Sequence, residues 1–146
     1  MKDQQKNVEV VFSPELFKYF ENPGANVVIV DILRATSAIC TAFHNGVKQV
    51  IPVPTKEEAK LYKEKGYMVA AERDGRVLDF ADFGNSPFNF TRERIENKKI
   101  AYSTTNGTKA IHLARHNNMA LIGSFINISA LASLLIDMHE DVLILC

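Results

Sequence analysis

A chain of 146 residues with 17 basic and 17 acidic side chains has no overall field to draw it to nucleic acid or to an anionic membrane. Its 47% hydrophobic and 23% charged residues are those of one globular domain with a sizeable core, residues 1–146. Any anionic ligand must then be held by local donors. Cys40 and Cys146 have no metal or redox spacing and predict reduced thiols in a cytoplasmic protein, and Met1 to Asn7 lacks the apolar segment of a signal peptide.

Val8, Val10 and Phe12 alternate, which predicts a first strand, and Ser13-Pro14-Glu15 has the cap and proline of a helix start. Val27 to Val30 is wholly apolar, as in a strand covered on both faces. Ala35, Ala38, Ile39, Ala42 and Phe43 fall on one helix face, which Asn45-Gly46 ends. Val47 to Val53 reads as the next strand. Thr55 and Glu58 have the spacing of a capping box for a helix to about Glu64, followed by a strand over Tyr67 to Ala71. Glu72 to Phe90 has no usable period, and loops of that length in a small domain are often functional. A short helix from Thr91 and a strand over Lys99 to Tyr102 follow. Met119 to Ile136 carries no charge, yet Gly123, Ser124, Asn127 and Ser129 divide it into a strand, a turn and a helix with Ile128, Leu131, Leu134 and Leu135 on its face, rather than a membrane span. Asp141 to Cys146 is a last apolar strand. The alternation predicts an α/β fold, a three-layer α/β/α sandwich around a mostly parallel or mixed sheet.

The chain also repeats itself. Thr36 to Asn45 aligns without a gap with Thr108 to Asn117, 72 positions on, and six of the ten residues are identical. An apolar run precedes each copy and a strand follows it, so each reads strand, polar turn, helix, strand. The turns are Asp31 to Ser37 and Ser103 to Thr108. Each stands where a strand enters a helix, and a helix start offers unpaired N–H groups and partial positive charge to an anion.

Single residues are less specific than the pair of turns. Asp31, at the end of a buried strand, suits Mg²⁺ binding, a nucleophile or a base, and equally a turn cap. Arg34 suits phosphate, sulfonate or carboxylate, or an ion pair with Asp31. Glu72-Arg73-Asp74-Gly75 reads as a solvated cluster, Asp82 to Pro87 as turn chemistry, and Asn127 as a cap or a ligand contact on the same sheet edge. His44 and His116 sit at equivalent helix ends, His112 and His139 have no partner at ligand spacing, and no phosphate-loop, dinucleotide or zinc-protease motif is present.

Taken together, Asp31-Ile32-Leu33-Arg34-Ala35-Thr36-Ser37, Ala71-Glu72-Arg73-Asp74-Gly75, Asp82-Phe83-Gly84-Asn85-Ser86-Pro87, Ser103-Thr104-Thr105-Asn106-Gly107-Thr108-Lys109-Ala110 and Gly123-Ser124-Phe125-Ile126-Asn127 resemble, in order and spacing, the 2-phosphosulfolactate phosphatase family. The resemblance runs from about Val27 to Cys146. It implies an α/β/α fold with the site at the strand ends. It also implies Mg²⁺-dependent hydrolysis of the phosphate monoester of 2-phosphosulfolactate to sulfolactate and phosphate, a step that feeds coenzyme M biosynthesis in methanogens. Asp31, Arg34 and Glu72 would be catalytic, with Asp31 and Glu72 as metal ligands. Thr36, Ser37, Arg73, Asn85, Ser86, Thr104, Thr105, Asn106, Gly107, Thr108 and Asn127 would bind the substrate. Asp31, Arg34, Glu72, Asn106 and Asn127 should then share one cleft. Family members continue beyond the position of Cys146, so a second reading is a truncated, non-catalytic small-anion-binding remnant. On that reading the strand ending at Cys146 is uncovered and lowers stability, and as an unpaired strand it invites homo-oligomer formation.

Overall fold

Asn26 to Ile29 is buried at every position, and it becomes the centre of a parallel sheet. The computed structural model describes residues 6–20 and 22–146, so most of the stretch read for a signal segment, Met1 to Gln5, lies outside the described residues, as does Glu21. The first sheet has the order β1 (Val8–Val11), β8 (Val142–Leu145), β2 (Asn26–Val30), β7 (Met119–Gly123), all parallel. The second has the order β3 (Gln49–Pro52), β6 (Lys99–Ser103), β4 (Met68–Arg73), β5 (Arg76–Val77), parallel except for β4 with β5.

The helices are α1 (Ala35–His44), α2 (Lys56–Glu64), α3 (Arg92–Ile95), α4 (Gly107–Leu113) and α5 (Ile128–Asp137). Strand alternation assigns their layers. In the first sheet Val27, Ile29, Leu143 and Leu145 pack with Ala110 of α4, while Val28 and Ile144 face Leu131 and Leu135 of α5. In the second, Ile100, Tyr102 and Ala70 pack with Ala38, Ile39 and Ala42 of α1, while Val69, Ala71 and Ala101 pack with Ala59 of α2. Ile111 of α4 and Ile122 of β7 touch both central clusters. Each sheet thus has helices on both faces, as the α/β/α expectation requires. There are two sheets rather than one, and α1 and α4 form the layer they share.

The duplication explains the division. β2–α1–β3 and β6–α4–β7 are the two copies, and each helix carries the chain from one sheet to the other. β2 therefore pairs with β7 and β3 with β6, the first strand of one copy against the second strand of the other.

Four local expectations are corrected. Ser13-Pro14-Glu15 does start a helix, a 3-10 helix over Pro14–Tyr19 with the proline in its first turn, but Ser13 makes no side-chain cap bond. Phe43 lies off the buried face of α1 at 54% exposure, because that face is completed by Thr36 instead. Ile128 and Leu134 of α5 are exposed, and only Leu131 and Leu135 turn inward. β8 is no edge: it lies between β1 and β2, with Val142, Leu143 and Leu145 buried, so the premise for pairing through it fails. No helix of the described residues is long and apolar enough to cross a membrane.

Candidate functional site

Parallel strands bring their carboxyl ends to one edge, and here the edges of the two sheets face each other across a cleft of about 710 Å³. β2 delivers Asp31 and, past it, Arg34; β4 delivers Glu72 and Asp74; β6 delivers Thr104, Thr105, Asn106 and Gly107; the loop after β5 delivers Asn85. The structure thus brings together Asp31, Arg34, Glu72, Asn85 and the four residues from Thr104 to Gly107.

The two helix starts meet at Gly107. A Cβ there would stand 2.5 Å from the Cβ of Ala35, and 3.2 Å from both Asp31 Oδ2 and Thr104 Oγ1. Only a residue without a side chain allows this approach. Ala35 and Gly107 are equivalent in the two copies, so the contact joins matching positions of the repeat.

Neither alternative role of Asp31 is what the structure contains. Arg34, not Asp31, is the N-cap residue of α1, and its side chain makes no cap bond. Arg34 Nη2 donates instead to Asn85 Oδ1 at 2.7 Å, and no Asp31–Arg34 ion pair occurs among the described residues. Glu72 is 8% exposed, and its Oε2 accepts one N–H, from Gly75 at 3.1 Å. Behind this group lies Tyr102, whose hydroxyl donates to Ala35 O at 3.4 Å. Burial first, and then the negative charges of Asp31 and Glu72, push that phenol well above its ordinary range, with Arg34 a partial offset.

Mg²⁺ takes hard oxygen ligands, commonly one or two carboxylates with water and substrate oxygens completing the shell. Asp31 and Glu72 supply such a pair on opposing strand ends. No group of three His, Cys, Asp or Glu side chains is placed to hold a metal among the described residues. By their chemistry two cleft carboxylates would suit Mg²⁺ shared with substrate and water, and they are too few for a closed all-protein cage.

Other residues expected to contact substrate do not line the cleft. Asn127 caps the turn after β7: its Oδ1 accepts from Ser124 N at 2.8 Å and its Nδ2 donates to Ile122 O at 2.9 Å. It faces Cys40, Thr41 and His44 in a separate hollow, so the expected convergence is corrected at this residue. Thr36 is fully buried; its N–H donates to Asp31 O and its Oγ1 accepts from Asp31 N. Ser37 Oγ donates to Ile32 O, and Thr108 Oγ1 donates to Thr104 O. These three hydroxyls shape the turns from within. Arg73 turns back to Glu72 O, Pro54 O and Ser103 Oγ, bracing the ends of β4 and β6. Ser86 does not line the cleft.

Sequence reasoning missed one wall. Phe12, Ser13, Pro14 and Glu15 line the cleft, with Cys146 beside them. The pairing of β1 with β8 puts the end of β1 on the same edge, and nothing local in Ser13-Pro14-Glu15 signals that pairing. Glu15 bonds Lys109 of α4 at 2.5 Å, and this contact first of all brings its carboxyl down to about 2.

The family model for 2-phosphosulpholactate phosphatase matches residues 11–146. A "Probable 2-phosphosulfolactate phosphatase" of Clostridium novyi (strain NT) is 37% identical over 141 residues, covering 94% of this chain and 60% of its own length. Proteins of the same name from Thermotoga petrophila and Caldanaerobacter subterraneus are 41% identical over 119 residues and 38% over 125, covering 82% and 83% of this chain and 52% of their own lengths. The chain thus spans about half to three-fifths of the curated relatives it matches. The match takes in each strand end that builds the cleft, and by it the chain belongs to the 2-phosphosulfolactate phosphatase family.

Proposed function

We propose that the cleft is a phosphatase site for a small phosphorylated acid, and that its substrate is 2-phosphosulfolactate, hydrolysed to sulfolactate and phosphate. The observation that carries this is the convergence of Asp31, Glu72 and Arg34 on one cleft between strand ends, in a chain of this family. Asp31 and Glu72 would hold Mg²⁺, which, when bound, screens the phosphoryl oxygens and lowers the pKa of a bound water. Arg34 neutralises charge as it develops on the transferred phosphoryl group. Oxygen from water joins phosphorus, the phosphorus–ester oxygen bond breaks, and the leaving alkoxide takes up the proton that water gives up. Thr105 and Asn106, exposed at the mouth of the cleft, are placed to meet the carboxylate or sulfonate end.

The test is phosphate release from 2-phosphosulfolactate, and from the same acid without its sulfonate, over a range of Mg²⁺. Asp31→Asn should lower turnover at saturating Mg²⁺ by about a hundredfold or more. Near-normal turnover in that variant would remove Asp31 from the chemistry. Equal rates on both acids would sink the substrate assignment while leaving a phosphatase.

A further inference from the structure

Resting on the reading of Arg34 as the group that holds the phosphoryl anion, we propose that Asn85 is a positioning residue that acts on substrate through Arg34. Arg34 is exposed at the start of α1, and a long exposed side chain samples many rotamers. Among the described residues its guanidinium is held by one bond, Nη2 to Asn85 Oδ1 at 2.7 Å. The acceptor is itself immobilised. Asn85 is 8% exposed. The preceding Gly84 is so close to β5 that a Cβ would meet Val77 Cγ2 at 2.9 Å. Phe83 is anchored by its carbonyl to Ala71 N at 3.0 Å and by its ring edge-on to Phe90 at 4.9 Å.

The acceptor is an uncharged amide. A carboxylate at this position would hold the fork as well but would neutralise it, and the guanidinium would lose its attraction for an anion. Asn85 orients Arg34 and leaves its whole charge, and its remaining N–H donors, to the cleft.

The test is a double-mutant cycle read by calorimetric titration of inorganic phosphate, with Mg²⁺ present. Asn85→Ala should weaken phosphate binding by about tenfold in the native background and by less than about twofold in an Arg34→Ala background, because it acts through the residue already removed. Asn85→Asp, nearly the same in shape, covers the case in which Asn85→Ala fails to fold. It should weaken phosphate binding at least as strongly as Asn85→Ala and flatten its salt dependence. Equal losses from Asn85→Ala with and without Arg34 would overturn the proposal and make Asn85 a direct ligand or a fold residue. Unchanged phosphate affinity in Arg34→Ala alone would instead sink the anion site, and the proposal with it.

Discussion

Asp31 and Ser103 are equivalent residues of the two copies, and so are Arg34 and Asn106, yet their surroundings differ. Ser103 is buried and held by Arg73, whereas Asp31 lines the cleft. One turn has kept a charged pair and the other a set of hydroxyl and amide groups, which fits a site with a reacting end and a recognition end. Gly107 holds the two together. Gly107→Ala should cost about 1–3 kcal/mol, since the new methyl meets the backbone-bound Cβ of Ala35 rather than a flexible chain end. Thermal unfolding with phosphate titration would check it, and an unchanged melting temperature would mean that the helix starts can part freely. Tyr102 gives a pH prediction. Its folded value lies above the ordinary 10.0, so its contribution is complete below that value and is lost as pH rises beyond it. One of the four tyrosines should stay unionised until the protein unfolds in alkali, read by phenolate absorbance. Tyr102→Phe should remove that silent tyrosine and flatten the alkaline loss of stability. Four tyrosines titrating together in the folded state would contradict the burial.

At the scale of elements, periodicity located the buried strands and α1, because a strand buried on both faces must be apolar throughout. It failed at the margin of a helix face: Phe43 lies just beyond the buried arc of α1. The region from Glu72 to Phe90 was opaque for another reason. Its order comes from distant partners, such as the bridge between Ala70 and Phe83 and the bond from Asn45 Nδ2 to Phe90 O at 2.6 Å. Asn127 shows the ambiguity of capping residues, since the same amide suits a ligand or its own turn. Here Ser124 and Asn127 form a reciprocal capping box before α5. Asn127→Ala should therefore lower stability by about 0.5–2 kcal/mol and leave phosphate affinity unchanged. A variant of full stability that no longer bound phosphate would return Asn127 to the site.

At the scale of the molecule, the duplication was legible in the sequence, but its consequence was not. Repeats by themselves do not say whether each copy closes its own sheet or exchanges strands with the other. Exchange is what faces the two sets of strand ends across one cleft, so Asp31 and Glu72 could be named from sequence while the wall from Phe12 to Glu15 could not. Exchange also ties the sheets together mechanically. Ile111 and Ile122 each pack on the cluster beneath the second sheet and on the cluster within the first, so neither sheet can open without disturbing the other's core. Native-state hydrogen exchange should therefore give amides of β2 and β8 the same opening free energy as those of β6, with β5 and its exposed Val77 exchanging far earlier. Ile111→Ala, at a half-buried position, should lower protection in both sheets together, by about 0.5–3 kcal/mol. Loss of protection confined to β3, β4 and β6, with β2 and β8 unmoved, would show two folding units joined at a cleft rather than one.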